Sequence, residues 1–144
     1  MLEKAKIWLE RAKADLKSAE VLIEVVPADS VYHSQQAVEK AIKAALSVKG
    51  IEVKEHRVSG LFYDEFVVLF PELEEIYGIA VELEKHWLKS RYPIDYSRGV
   101  WDPLRAYSPK DAESFFEMAK TFVLTLEEFL VREFGLKVNM KGEF

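Results

Sequence analysis

Leu2, Ala5, Leu9, Ala12, Leu16, Ala19, Ile23 and Val26 follow one another at alternating steps of three and four residues, without a break. Such spacing keeps a single apolar line on one side of a helix and predicts a long first helix, lying nearly parallel or antiparallel to its neighbours. Pro27 marks its end. The next stretch, Ser30 to Gly50, reads as a second helix of a different kind. Ala37, Ala41, Ala44 and Val48 share one side, where their small size lets another backbone approach, and Val38, Ile42, Ala45 and Leu46 extend the apolar surface beside them. A helix with so broad an apolar face belongs in the middle of a bundle. Asp29 or Ser30 is suited to cap its start and Gly50 to end it in the left-handed conformation. With only Pro27, Ala28 and Asp29 between them, the two helices should form an antiparallel hairpin. The opening turn of the second helix is unusually polar, with Tyr32, His33 and the only two glutamines of the chain, Gln35 and Gln36. Asp15, beside the first seam, suits either a solvated or salt-bridged position or a polar partner on this second helix.

Val58 to Phe70 is too apolar to lie exposed, and Ser59 could cap a short helix there. Pro71, followed by Glu72, Glu74 and Glu75, suits the start of another helix running to about Ser90. Residues 91–108 contain two prolines and a glycine and read as a long ordered loop, held by Tyr92, Tyr96, Trp101 and Tyr107. Ser108, Pro109 and Asp111 predict a capped start for the last helix, which Gly135 ends. That helix carries an apolar stripe beyond its main seam, Phe116, Val123 and Leu130, which predicts cover by a second chain and hence a homodimer. The expectation is an all-α, up-and-down four-helix bundle with an additional short helix over residues 1–135, with helices near 2–26, 30–49, 72–90 and 109–134, and a tail over 136–144.

Composition narrows the chemistry. A chain of 144 residues without cysteine holds a core without disulfides and has no thiolate for zinc binding or catalysis. Its three histidines, His33, His56 and His86, show no metal-ligand spacing, so no metal and no cofactor are expected. The absence of a signal pattern or a long apolar run points to a cytoplasmic protein without a membrane partner. One asparagine, two glutamines and abundant Glu and Lys match heat-adapted proteins. The net charge of −5 argues against a generally basic, nucleic-acid-coating surface. Locally the balance reverses. Lys85, Lys89, Arg91, Arg98 and Arg105 face only Asp95 and Asp102 between residues 85 and 105, with Trp87, Tyr92, Tyr96 and Trp101 interleaved. Guanidinium groups pair with phosphate and aromatic faces stack on bases, so this mixture suits a nucleotide or a single strand. The same residues would also serve to pin the loop to the bundle and to pair with surplus acids.

Ala14-Asp15-Leu16, then Tyr32 with Gln35-Gln36-Ala37, Glu39-Lys40-Ala41 and Lys43-Ala44, then His56, then Arg91-Tyr92-Pro93 stand in an order that resembles HEPN domains (higher eukaryotes and prokaryotes nucleotide-binding) over nearly the whole chain. The resemblance implies a helical bundle, a homodimer, nucleotide binding, and pairing with a small nucleotidyltransferase, as in toxin–antitoxin-like systems. Ribonuclease members carry Arg followed by His four to six residues later, and no arginine here is followed by His at that spacing. The leading expectation is a non-catalytic nucleotide- or RNA-binding module, such as the accessory subunit of a nucleotidyltransferase, with Lys89, Arg91, Tyr92 and Arg98 at the site. The alternatives are a ribonuclease using the reversed pair, His86 as acid/base and Arg91 at the phosphate, and a purely structural dimerisation scaffold. On a continuous helix that reversed pair would point about 140° apart.

Overall fold

The first seam is buried where its spacing places it: Ala5, Leu9, Ala12, Leu16 and Ala19 are all but inaccessible. In the computed structural model, which describes residues 2–138, they belong to α1 (Leu2–Leu22). This helix stops four residues short of the expected Val26, and α2 (Pro27–Val48) begins earlier than expected. Pro27 opens the second helix instead of only closing the first, because the first turn has no use for the N–H that proline lacks and its φ is already helical. Neither Asp29 nor Ser30 caps that helix. Val26 takes the cap position without a side-chain hydrogen bond. The Ser30 hydroxyl instead donates to the Ala19 carbonyl (2.6 Å), fastening the α1–α2 hairpin. The far end of α2 matches expectation: Gly50 has φ of 75°, and the Gly50 and Ile51 amides donate to the Ser47 and Leu46 carbonyls.

α2 is the central element. It packs on α1 and on α7 (Pro109–Phe134), and also meets α4 (Glu74–Glu84) and the shorter helices. Ser108 and Asp111 form a reciprocal capping box at the start of α7, and Gly135 ends it at φ of 70°. Phe116, Val123 and Leu130 are buried within this one chain. The expectation that their stripe needs a second chain is therefore corrected: α7 packs on α1, α2 and α4 together and uses its wide apolar face internally.

Residues 58–90 fold less regularly than expected. α3 (Ser59–Phe62) runs into a wide, π-helical turn at Tyr63–Val67, and a 3₁₀ turn at Pro71–Leu73 leads into α4. The single helix expected to reach Ser90 is interrupted at Lys85, after which α5 spans only His86–Lys89. Ser59 is not a cap. The Glu84 carboxylate, arriving from α4, accepts from the Val58 and Ser59 amides (2.7 and 3.0 Å) and from the Ser59 hydroxyl (2.7 Å). It thus supplies from another helix the acceptor that the start of α3 lacks.

The segment expected as a loop at 91–108 holds an antiparallel hairpin, β1 (Ile94–Tyr96) with β2 (Gly99–Trp101), joined by the two-residue turn Ser97-Arg98. A short helix, α6 (Pro103–Ala106), follows, capped by the Asp102 side chain. The Trp101 indole donates to the Lys89 carbonyl (2.7 Å). Tyr107 with Ala28, Val31 and Ala112 makes a small second core, against which Trp101 and Phe115 pack. Trp101 and Tyr107 pin this segment to the bundle, as the sequence suggested, whereas Tyr92 and Tyr96 stay about half exposed. Of the expected tail, Leu136 is buried and Val138 packs on the main core. Residues 139–144 lie outside the described residues. No described helix is long and apolar enough to cross a membrane.

Replacing Glu84 by alanine removes three hydrogen bonds to one carboxylate and leaves two amides at the start of α3 without an acceptor. The expected loss is about 2–3 kcal/mol of stability, read from the urea unfolding midpoint, with Ser59→Ala costing only about 1 kcal/mol.

Candidate functional site

Asp15 faces α2 and is 6% exposed. Both of its oxygens are occupied: His33 Nδ1 lies 2.9 Å from Oδ1, and Lys40 Nζ donates to Oδ2 at 2.5 Å. His33 and Lys40 stand seven residues apart, two helical turns, so they present to α1 from one side of α2. Burial by itself would raise the Asp15 carboxyl. The hydrogen bonds from His33 and Lys40, with their charges, outweigh it and hold the group below its ordinary value. Asp15 is salt-bridged, and the partners that hold it stand on the second helix, so both of the roles open to it are met together.

A second polar row continues along α2. Gln36 donates to Gln35 (2.8 Å), Gln35 donates to Glu39 (3.1 Å), and Lys43 pairs with the same carboxylate (3.3 Å). His56, from the loop before α3, reaches Glu39 at 3.2 Å and stacks on Trp87 with ring centres 4.3 Å apart. A cleft of about 270 Å³ opens there, between His56, Arg57, Glu84, Lys85, Trp87 and Leu88.

Arg91 joins the two rows. Its guanidinium carbon lies 4.9 Å from the Tyr32 ring centre, 4.9 Å from that of Trp87 and 4.7 Å from that of Tyr92. Its Nε donates to the Trp87 carbonyl (3.3 Å), and among the described residues no carboxylate pairs with it. Tyr32 also carries His33 against its ring, with centres 5.3 Å apart. The contacts therefore run unbroken from Lys40 and Asp15 through His33, Tyr32, Arg91, Trp87 and His56 to Glu39. Short sequence pieces that lie far apart along the chain meet on one face.

The four expected binding residues divide between two places. Arg91 and Tyr92 touch each other on this face, whereas the Lys89 ammonium lies over Trp101 (5.6 Å), where Lys89, Ile94, Tyr96 and Trp101 line a separate cleft of about 260 Å³. Arg98 occupies the exposed hairpin turn. The reversed pair does not converge. His86 Nδ1 meets the Tyr107 hydroxyl (2.7 Å) and the ring packs on Phe115, while Arg91 is committed to Tyr32, Trp87 and Tyr92. Burial pushes His86 down, only partly offset by the Glu82 carboxylate, and pushes the Tyr107 phenol up, so the pair is held neutral as a structural contact. Among the described residues no group of histidine and carboxylate side chains could hold a metal ion. Sequence reasoning did not assign Tyr32, His33, Asp15 or Lys40 to this face. The signal was the polar opening turn of α2, out of place on a core helix.

Asp15→Asn should lower stability at neutral pH by roughly 1–3 kcal/mol, because it takes the charge from a buried group that pairs with the Lys40 ammonium and hydrogen-bonds His33. The folded-state value of Asp15 is depressed, so its contribution is full above the unfolded value near 3.8 and is lost as pH falls through the folded one. Unfolding midpoints of wild type and variant should accordingly converge in acid.

Comparison with known proteins identifies the family and the fold. The HEPN domain family matches residues 5–129. A Methanocaldococcus jannaschii protein named "Putative toxin MJ1304" is 38% identical, with 92% of each chain covered. Two crystal structures share the fold at 27% identity: the archaeal HEPN homologue ST0689 (TM-score 0.68, covering 88% of this chain and 98% of that one) and TT1696 from Thermus thermophilus (TM-score 0.70, covering 87% and 97%). With a family match spanning most of α1 through α7, and its sequence motifs gathered on one face, the chain belongs to the HEPN domain family.

Proposed function

We propose that this protein is a nucleotide- or RNA-binding HEPN module in which Arg91 and Tyr92 take the anionic group, with Lys89 and Arg98 extending the contact along the hairpin. The observation that carries this reading is Arg91 itself. In a chain with 25 acids against 20 Lys and Arg, its guanidinium is fixed among three aromatic rings and is left without a carboxylate among the described residues. An arginine oriented in this way loses little freedom on meeting phosphate and presents a planar fork to it. Tyr92 and Tyr96 are about half exposed nearby and offer faces to a base. Trp87 is less available, because His56 and Arg91 already lie on its ring.

The name of the M. jannaschii relative favours a second reading, in which RNA binding ends in RNA cleavage. Against it stands the separation of His86 from Arg91. The family resemblance adds two partners to the leading reading: a second copy of the chain and a small nucleotidyltransferase. Light scattering at micromolar concentration should give twice the monomer mass. Co-expression with a neighbouring nucleotidyltransferase should yield a complex that survives purification.

Calorimetry with an adenine nucleotide and with a short single-stranded RNA should show binding that weakens steeply as salt rises, because phosphate contacts release counterions. Arg91→Ala should weaken both ligands at least tenfold. Arg91→Lys should not restore them, since lysine has neither the fork nor the stacking face. Absence of binding at low salt would leave the scaffold reading in its place. Incubation with a structured RNA and a chelator should leave the RNA intact, and cleavage that disappears in both His86→Ala and Arg91→Ala would establish the ribonuclease reading instead.

A further inference from the structure

We infer that His33 is a second anion ligand beside Arg91, and that the group the two recognise together is a phosphomonoester, the terminal phosphate of a nucleotide or of an RNA strand. The inference rests on the reading of Arg91 as an anion-binding residue and specifies its ligand. His33 and Arg91 both lie against Tyr32, the imidazole centre at 5.3 Å and the guanidinium carbon at 4.9 Å from its ring centre, so one group bound at Tyr32 is within reach of both.

Asp15 determines what His33 can offer. With Nδ1 held at the buried carboxylate, the ring is fixed in orientation and Nε2 is left without a partner among the described residues. The side chain retains 29% exposure, enough for a ligand to reach that nitrogen. The charges facing His33 are Asp15 from α1, Lys40 on the same carboxylate, and Arg91 across Tyr32. Asp15 and Lys40 cancel. Arg91 then contributes one positive charge, and an imidazole with a carboxylate at Nδ1 and a phosphate at Nε2 can donate a hydrogen bond from each ring nitrogen in the complex. A terminal phosphate, with more free oxygens and more charge than an internal diester, can accept from both of these side chains and is the ligand they suit better.

The test compares wild type, His33→Asn, His33→Gln and Arg91→Ala by calorimetry at pH 7, using adenosine, adenosine 5′-monophosphate, and RNA trinucleotides with and without a 5′-phosphate. His33→Asn keeps an amide at the Nδ1 position for Asp15 and loses the donor at Nε2. His33→Gln places an amide near the Nε2 position and gives up the bond to Asp15. Wild type should bind the 5′-phosphorylated probes at least tenfold more tightly than their unphosphorylated counterparts. His33→Asn should abolish that preference while still melting cooperatively as a folded protein, His33→Gln should keep part of it, and Arg91→Ala should weaken every probe at least tenfold. Tighter binding of the mononucleotide would identify a free nucleotide as the source of the phosphate, and tighter binding of the phosphorylated strand an RNA end. If wild type binds the probes without regard to the terminal phosphate, or if His33→Asn retains the preference, the role of His33 is overturned while Arg91 stands. If wild type binds none of them, both fall.

Discussion

Everything in this fold depends on how closely other elements approach α2. Ala37, Ala41 and Ala44 have no exposed surface, and α1, α7 and α4 pack around the helix that carries them. Small side chains permit that approach but contribute little apolar area themselves. The surrounding helices supply it through Leu9, Leu16, Phe122, Leu126 and the phenylalanines of α3 and the turn after it. A helix enclosed on so many sides cannot leave its polar residues in water. Gln35, Gln36, Glu39 and Lys43 are all buried, and each finds a partner on α2 itself or on the loop above it. Replacing one partner of such a pair strands the other, so the polar rows constrain the packing as strictly as the alanines do.

That constraint places the candidate binding face. Asp15 has to be neutralised because α1 buries it, and His33 and Lys40 do so from the first half of α2. Trp87 and Arg91 then close over the same end of the helix from α5 and the segment after it, with Tyr32 beneath them. The face is thus cationic and aromatic at its surface, with its carboxylates turned inward and occupied. An acidic protein can in this way keep one face locally cationic, because charges elsewhere on its surface are screened over distances of about a Debye length.

The β-hairpin and α6 show how a segment of mixed character acquires structure. Neither strand exceeds three residues, and a ribbon of that size is marginal alone. It is held by Trp101, whose indole reaches the Lys89 carbonyl, and by Tyr107, which meets His86 and enters the small second core. His86 therefore works as an anchor for this segment. The hairpin sets Arg98 out at its turn and Lys89 over Trp101, which separates them from Arg91 and divides a basic stretch that looks continuous in sequence.

The sequence by itself determined the long helices α1, α2 and α7 and their order. The three-and-four spacing of α1, the alanine face of α2, the Ser108–Asp111 capping box and the terminal glycines at 50 and 135 are local signals, each requiring only a few neighbouring residues to act. Motif order was enough for the family, and charge with aromatic content was enough to single out Arg91 and Tyr92 as candidates. Tertiary structure alone decided the rest. Whether Phe116, Val123 and Leu130 meet solvent, a second chain or their own core depends on how many helices α7 touches, which no local spacing states. The cap of α3 comes from Glu84, twenty-five residues after Ser59. Arg91 reaches Tyr32, and Asp15 reaches His33 and Lys40, only after the chain has closed on itself. Spacing along a chain specifies which residues share a face of one helix, but a site built from several helices exists only once packing has fixed their relative rotation.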